Sequence, residues 1–233
     1  MAYGPNTSGD AARPRRLWLL PLLILAGVVV ASVQPYGVDE LLGFGRELAG
    51  NPLFLLAVVL AMALLFTFGL PGSLGIWLIA PFQPPLIATA LLVVGSVGGA
   101  YGAYRFSARL RGDWEPEGVG AHVVRLLSNN GGWVVQTALR ILPGFPHSVV
   151  NFAGGVLGLG LIGFLGAAVV GLSIKWGVYA GAVYGLVEAL ESDQALDPAT
   201  LAPLLMLSVL LLLGVAARRY LTSKNHASRP GAR

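Results

Sequence analysis

Arg140 and Lys175 are the two charged residues between Arg125 and Glu188, in a stretch that holds no acid. Ionisable side chains within apolar segments are costly, and they face a cavity, a partner or an interface. Without a carboxylate to pair with, three explanations remain: backbone carbonyls, snorkelling to the membrane surface, or an anion from outside the protein. Arg140 lies seven residues after Trp133, or roughly 10 Å along a helix, which is deep for a snorkel. Its planar guanidinium suits a phosphate, which it grips with two hydrogen bonds. An anionic headgroup and a capping role on hairpin carbonyls are therefore the two readings for Arg140. For Lys175 a ligand role and a structural role are equally open, since Trp176 beside it offers a cation–π face.

Around Arg140 the chain reads Leu142-Pro143-Gly144-Phe145-Pro146, with His147 and Asn151 following. Two prolines and a glycine cannot continue a helix, and non-helical backbone at membrane depth survives where protein covers it or where it lines a polar cavity. A second break, Gly69-Leu70-Pro71-Gly72-Ser73, interrupts an equally apolar run. Helix N-termini after Gly72 and Gly144 would add N–H donors for an anion, with Ser73 capping the first. Asn151 reads as a fastener of the second break; His147 is either a group titrating near the site or, the preferred reading, a loop histidine bonded to backbone. There is no His-Glu-x-x-His, no Gly-x-Ser-x-Gly and no Gly-Lys-Ser/Thr loop. With no Cys there is also no thiolate chemistry. Neither an enzyme, a metal site nor a cofactor is expected.

The elements that must position these residues are membrane helices. Hydrophobic residues make up 55% of the 233, and charged residues 11%, against about 25% in soluble domains; mean hydropathy is +0.73. The net charge of +4 invites a nucleic-acid reading, but the cations cluster beside apolar runs, as membrane orientation demands; no nucleic-acid partner is expected. Residues 1–16 read as a disordered cytoplasmic tail and 218–233 as a basic one, flanking a single membrane domain, 17–217. Leu17–Val33 is either a signal peptide or, because Ala31-Ser32-Val33 is a poor cleavage site, an uncleaved first span. Gln34–Asn51 is a short amphipathic or loop segment. Pro52–Phe68 and the run after Ser73 are each too short to cross a bilayer alone. Leu86–Tyr104, Leu161–Val187 and Thr200–Ala217 are spans, and Gly112–Gly132 is the polar centre. Trp18, Tyr36, Tyr104, Trp114 and Tyr220 are expected at the interfaces, and Tyr101, Tyr179 and Tyr184 in packing.

Basic residues collect in both tails and in the central loop, whereas Gln34–Asn51 and Glu188–Asp197 hold seven acids and one base between them. The positive-inside rule then puts both termini and the central loop in the cytoplasm. Four spans satisfy this only if residues 52–81 and 133–160 leave and return on the same side, as two re-entrant hairpins entering from opposite faces. The expected fold is thus all-α and polytopic, with four transmembrane helices plus two opposed hairpins in an inverted repeat. Leu70-Pro71-Gly72 echoes Leu142-Pro143-Gly144, and Val97 and Gly99 echo Val169 and Gly171, at one offset. Six ordinary crossings with kinks are the alternative. Transporters built from inverted repeats bind substrate near the midplane at broken helices.

Arg140-Ile141-Leu142-Pro143-Gly144-Phe145-Pro146, Asn151 and Gly154-Gly155 resemble the second-hairpin signature of the DedA/VTT-domain (SNARE-associated Golgi protein) superfamily. Phe68-Gly69-Leu70-Pro71-Gly72-Ser73 resembles the first, and the likeness covers residues 52–187. It implies opposed re-entrant hairpins, a bacterial inner membrane, and movement or scrambling of phospholipid or polyprenyl-phosphate carriers between leaflets. Arg140 matches the first arginine of the family's Arg-x-x-Pro motif. Pro146 stands where the DedA branch usually has a second arginine, and Ser73 where it has an acid nearby, which places the chain nearer the Golgi-transport branch. Lys175 fits neither pattern. The residue reading and the resemblance together give a candidate ligand site of Arg140, Pro143, Gly144, Pro146, Asn151, Pro71, Gly72, Ser73 and Lys175. A non-transporting scaffold for envelope assembly is the alternative, a small-ion exchanger is disfavoured by the lack of carboxylates, and a homo-oligomer is compatible with the sequence.

Overall fold

Asn51 begins the first long apolar helix by accepting a hydrogen bond from the Leu53 N–H at 2.9 Å, and Pro52 follows at the position where a missing N–H costs nothing. In the computed structural model, which describes residues 38–109, 119–143, 145, 147–192 and 198–227, the elements among those residues are all helical. They are α1 (Val38–Gly50), α2 (Pro52–Thr67), a 3-10 turn at Gly72–Leu74, α3 (Gly75–Ile79), α4 (Pro85–Ser107), α5 (Val119–Asn129), α6 (Trp133–Ile141), α7 (His147–Val156), α8 (Leu161–Ser192) and α9 (Pro198–Ala227). The compact unit that holds the site begins at Gly45.

The breaks fall where proline and glycine put them. α2 ends at Gly69, whose φ of 74° lies in the left-handed region that glycine tolerates, and Pro71 forbids a restart in the same direction. α4 starts with Pro84 and Pro85 ahead of its first turn. α6 stops when Leu142 turns extended before Pro143, as the residue preceding a proline is pushed to do. α2, α6 and α7 match the expected segments Pro52–Phe68, Trp133–Leu142 and His147–Leu157 to within a residue, and α4 runs from one residue before the expected Leu86–Tyr104 to three residues past it. Gln34–Asn51, left between helix and loop, carries helix α1.

α4 and α8 are the two described helices long and apolar enough to cross a membrane; α2 joined to the end of α1 through a 90° bend makes a third candidate. The apolar part of α9, Leu201–Ala217, is shorter, and Leu17–Val33 lies outside the described residues. The protein is thus all-helical and membrane-embedded among the described residues. Its outer face agrees: Leu86 is 83% exposed and Ile162 90%, an apolar surface that only lipid or another protein would cover.

α2 packs along α4, α4 along α8, and α6 along α8, while α7 lies against α4 and α9 against α8. Lipid tails are as apolar as leucine, so close backbone approach and good packing must hold such helices together. Gly99 of α4 supplies one approach: a Cβ there would fall 2.9 Å from the Ala63 carbonyl oxygen of α2. Gly171 of α8 supplies another, 2.9 Å from the Thr137 carbonyl oxygen and 2.8 Å from Arg140 Cβ. Two cores result. One joins Val59, Met62 and Phe66 to Ile76, Leu92, Leu172 and Trp176; the other joins Val123 and Leu127 of α5 to Leu139, Phe145 and Val150.

Candidate functional site

Arg140 is on the last turn of α6 and is 1% exposed. One guanidinium nitrogen, Nη1, donates to the Gln136 carbonyl of its own helix at 3.2 Å. The plane lies over the Phe164 ring of α8, 4.4 Å from its centroid. The other nitrogen, Nη2, is buried with no hydrogen-bond partner among the described residues. A buried unpaired donor on a cation is among the most expensive groups a protein can hold. Gln136 Oε1 is buried and unpartnered as well; as an acceptor it offers an anion nothing.

Arg140 shares a small cavity with Phe66, Ser96, His147, Asn151, Leu172 and Trp176. Five helices meet there: α2, α4, α6, α7 and α8. Lys175 of α8, 8% exposed, adjoins the cavity through one of its lining residues, with a hydrogen bond between its Nζ and His147 Nε2. The ammonium also lies 5.3 Å from the Trp176 ring centroid and 5.7 Å from that of Tyr179. Trp176 Nε1 donates to Ser96 Oγ at 2.9 Å, which leaves the Ser96 hydroxyl proton free to serve a guest. The Phe66 ring meets the His147 ring edge-on at 6.4 Å. None of the cavity residues is acidic. Its volume is about 10 Å³, room for about one water.

Of the residues singled out from sequence, Arg140, Asn151 and Lys175 come together here. Pro143 is buried one turn on, with its carbonyl against Gly214 of α9. Gly144 and Pro146 lie outside the described residues. Gly72 is a step removed: it packs on the Phe66 ring, which lines the cavity. Pro71 and Ser73 are exposed and do not line it. The reading of Ser73 as a cap fails, since neither the 3-10 turn nor α3 has a side-chain cap. The anion-binding N-terminus expected after Gly72 fails with it. That segment is a single 3-10 turn and a five-residue helix, and the Gly75 N–H is already bonded to carbonyls of the turn.

One further expectation is corrected. His147 is the first residue of α7 rather than a loop residue, and its ring meets Lys175 rather than backbone. Arg140 does bond a carbonyl of the expected hairpin, that of Gln136, but with Nη1 alone. Tyr104 donates its hydroxyl to the Leu159 carbonyl at 2.6 Å and packs on Phe164, the ring beneath Arg140. Sequence reasoning missed Phe66, Ser96 and Phe164. The only signal for His147 was its place as a titratable group in an acid-free stretch.

Comparison with protein-family models, with curated proteins and with solved structures returned no match.

Proposed function

We propose that this protein is a multi-pass lipid transporter or scramblase that takes the phosphate of a phospholipid or polyprenyl phosphate at Arg140. The observation that carries this reading is the buried, unpartnered Nη2 of Arg140 in a cavity without acids. An incoming phosphate oxygen supplies the missing acceptor, and Lys175, His147, Asn151 and the Ser96 hydroxyl stand around the same space to hold the rest of the headgroup. The aromatic faces of Phe164, Trp176 and Tyr179 are already occupied by the protein's own cations. They are not free to cage a choline, so the site favours headgroups that bring negative charge alone.

The layout behind this function is the four-span, two-hairpin arrangement, with α2–α3 and α6–α7 as opposed hairpins, both termini cytoplasmic, and a likeness to the DedA/VTT superfamily. Paired seating of α2 under Gly99 and α6 under Gly171 supports it. A one-water cavity is smaller than any phosphate, so the conformation described is a closed one and passage requires the second hairpin to move.

The test is direct. Full-length protein in vesicles carrying labelled polyprenyl phosphate or phosphatidate should move label between leaflets faster than empty vesicles, and Arg140→Gln should abolish the difference while remaining folded. Wild-type rates equal to those of empty vesicles, or full activity in folded Arg140→Gln, would overturn the proposal; the latter would leave a scaffold as the better reading.

A further inference from the structure

The hydrogen bond between Lys175 and His147 counts protons. A hydrogen bond between two nitrogen bases needs a donor on one and a lone pair on the other. At the highest charge that bond allows, either Lys175 is an ammonium and His147 is neutral with its proton on Nδ1, or His147 is charged and Lys175 is a neutral amine. Either way the bonded pair carries at most one positive charge, short of the two cations the side chains can hold. The groups facing this pair explain the deficit. From α6 comes Arg140, a permanent cation; from α8, Tyr179, whose ring lies near the ammonium; from α2, Phe66; from α4, Ser96; and from α7, Asn151. None supplies a negative charge, so a third cation in this space has nothing to offset it.

Resting on the anion reading above, we infer that an anion bound at Arg140 brings in a proton, which is taken up by the Lys175–His147 pair. A dianion reverses the field that keeps the pair at one charge. The added proton occupies the lone pair that held the two side chains together, so their bond breaks and each becomes a separate donor to the anion. The empty closed site therefore keeps Lys175 and His147 engaged with each other, and the occupied site releases both. Protonation and occupancy become one event, and anion transfer carries a proton with it. By linkage, binding that takes up a proton strengthens as pH falls. The strengthening holds wherever the empty pair carries a single charge and the filled one carries two.

Calorimetry of sulfate binding to the full-length protein in nanodiscs, in two buffers of different ionisation enthalpy, measures the protons directly. Sulfate does not itself change protonation near neutrality, so every proton counted belongs to the protein. The expected result is about one proton taken up per sulfate, with affinity weakening by up to about tenfold per pH unit on the alkaline side. His147→Gln, whose amide oxygen still accepts from Lys175, should bind more weakly and take up none. Sulfate binding without proton uptake overturns this inference and leaves the anion site standing, as does equal uptake in wild type and folded His147→Gln. Failure of sulfate to bind at all overturns both. The wild-type count stands by itself if the variant does not fold.

Discussion

The ends of α2 and α6 occupy the same kind of seat and do different things there. Gly99 of α4 lies over the Ala63 carbonyl and Phe66, and Gly171 of α8, at the offset of the sequence echo, lies over the Thr137 carbonyl and Arg140. In each case the glycine touches a carbonyl and the residue three positions on, where the helix is about to meet its proline break. In the first half that residue is an apolar ring in a well-packed core. In the second it is a cation with an unused donor. The two glycine seats are alike, and the unpaired cation lies at one of them. Packing against a glycine therefore says nothing about ligand binding; what the next side chain leaves unpaired does.

Substituting the two equivalent residues should separate frame from chemistry. Arg140→Met removes the one group that an anion needs. Loss of a buried charged hydrogen bond costs about 2–5 kcal/mol, so flux should fall by on the order of 100-fold. Thermal unfolding in detergent should show stability unchanged or higher, because an apolar group of similar volume escapes the desolvation of a buried charge. Phe66→Ala should do the opposite. It empties a packed site and lowers stability by about 3–5 kcal/mol, and flux per folded molecule should fall far less than with Arg140→Met. If Arg140→Met unfolds the protein while Phe66→Ala abolishes flux from a stable one, the comparison is wrong.

Gly99→Val and Gly171→Val probe the frame itself. Each forces a side chain against a helix carbonyl and should cost about 1–3 kcal/mol in thermal unfolding. Similar losses mean equivalent seats; a neutral Gly99→Val would break the equivalence. The smallest effect is expected from Ser96→Ala, which removes the acceptor of Trp176 Nε1. That should lower stability by about 1 kcal/mol and shift the fluorescence of the indole, which lines the cavity.

Much of the frame was legible in the residues. Proline and glycine mark their own breaks, so α2, α6 and α7 begin and end within a residue of the expected segments, and α4 begins one residue before the expected Leu86. The absence of acids over 118–187 marked Arg140 and Lys175 as unpaired. The site's remaining members were hidden because they meet through tertiary packing alone. Lys175 and His147 are 28 residues apart, and Trp176 and Ser96 are 80 apart; neither separation has a helical period or motif to signal it. Ser73 misled for a different reason. A serine after Pro-Gly is a good cap only if a helix of useful length follows, and here α3 stops at Ile79, just ahead of Pro81 and Pro84.

The size of the cavity has a consequence for the membrane as an electrical barrier. A space that takes one water cannot pass an ion in its hydration shell, and the cations around it repel stray protons and metal ions alike. On the proposed transport reading, many copies of the resting protein can sit in an energised bilayer without draining its gradient, and charge would cross only together with a headgroup.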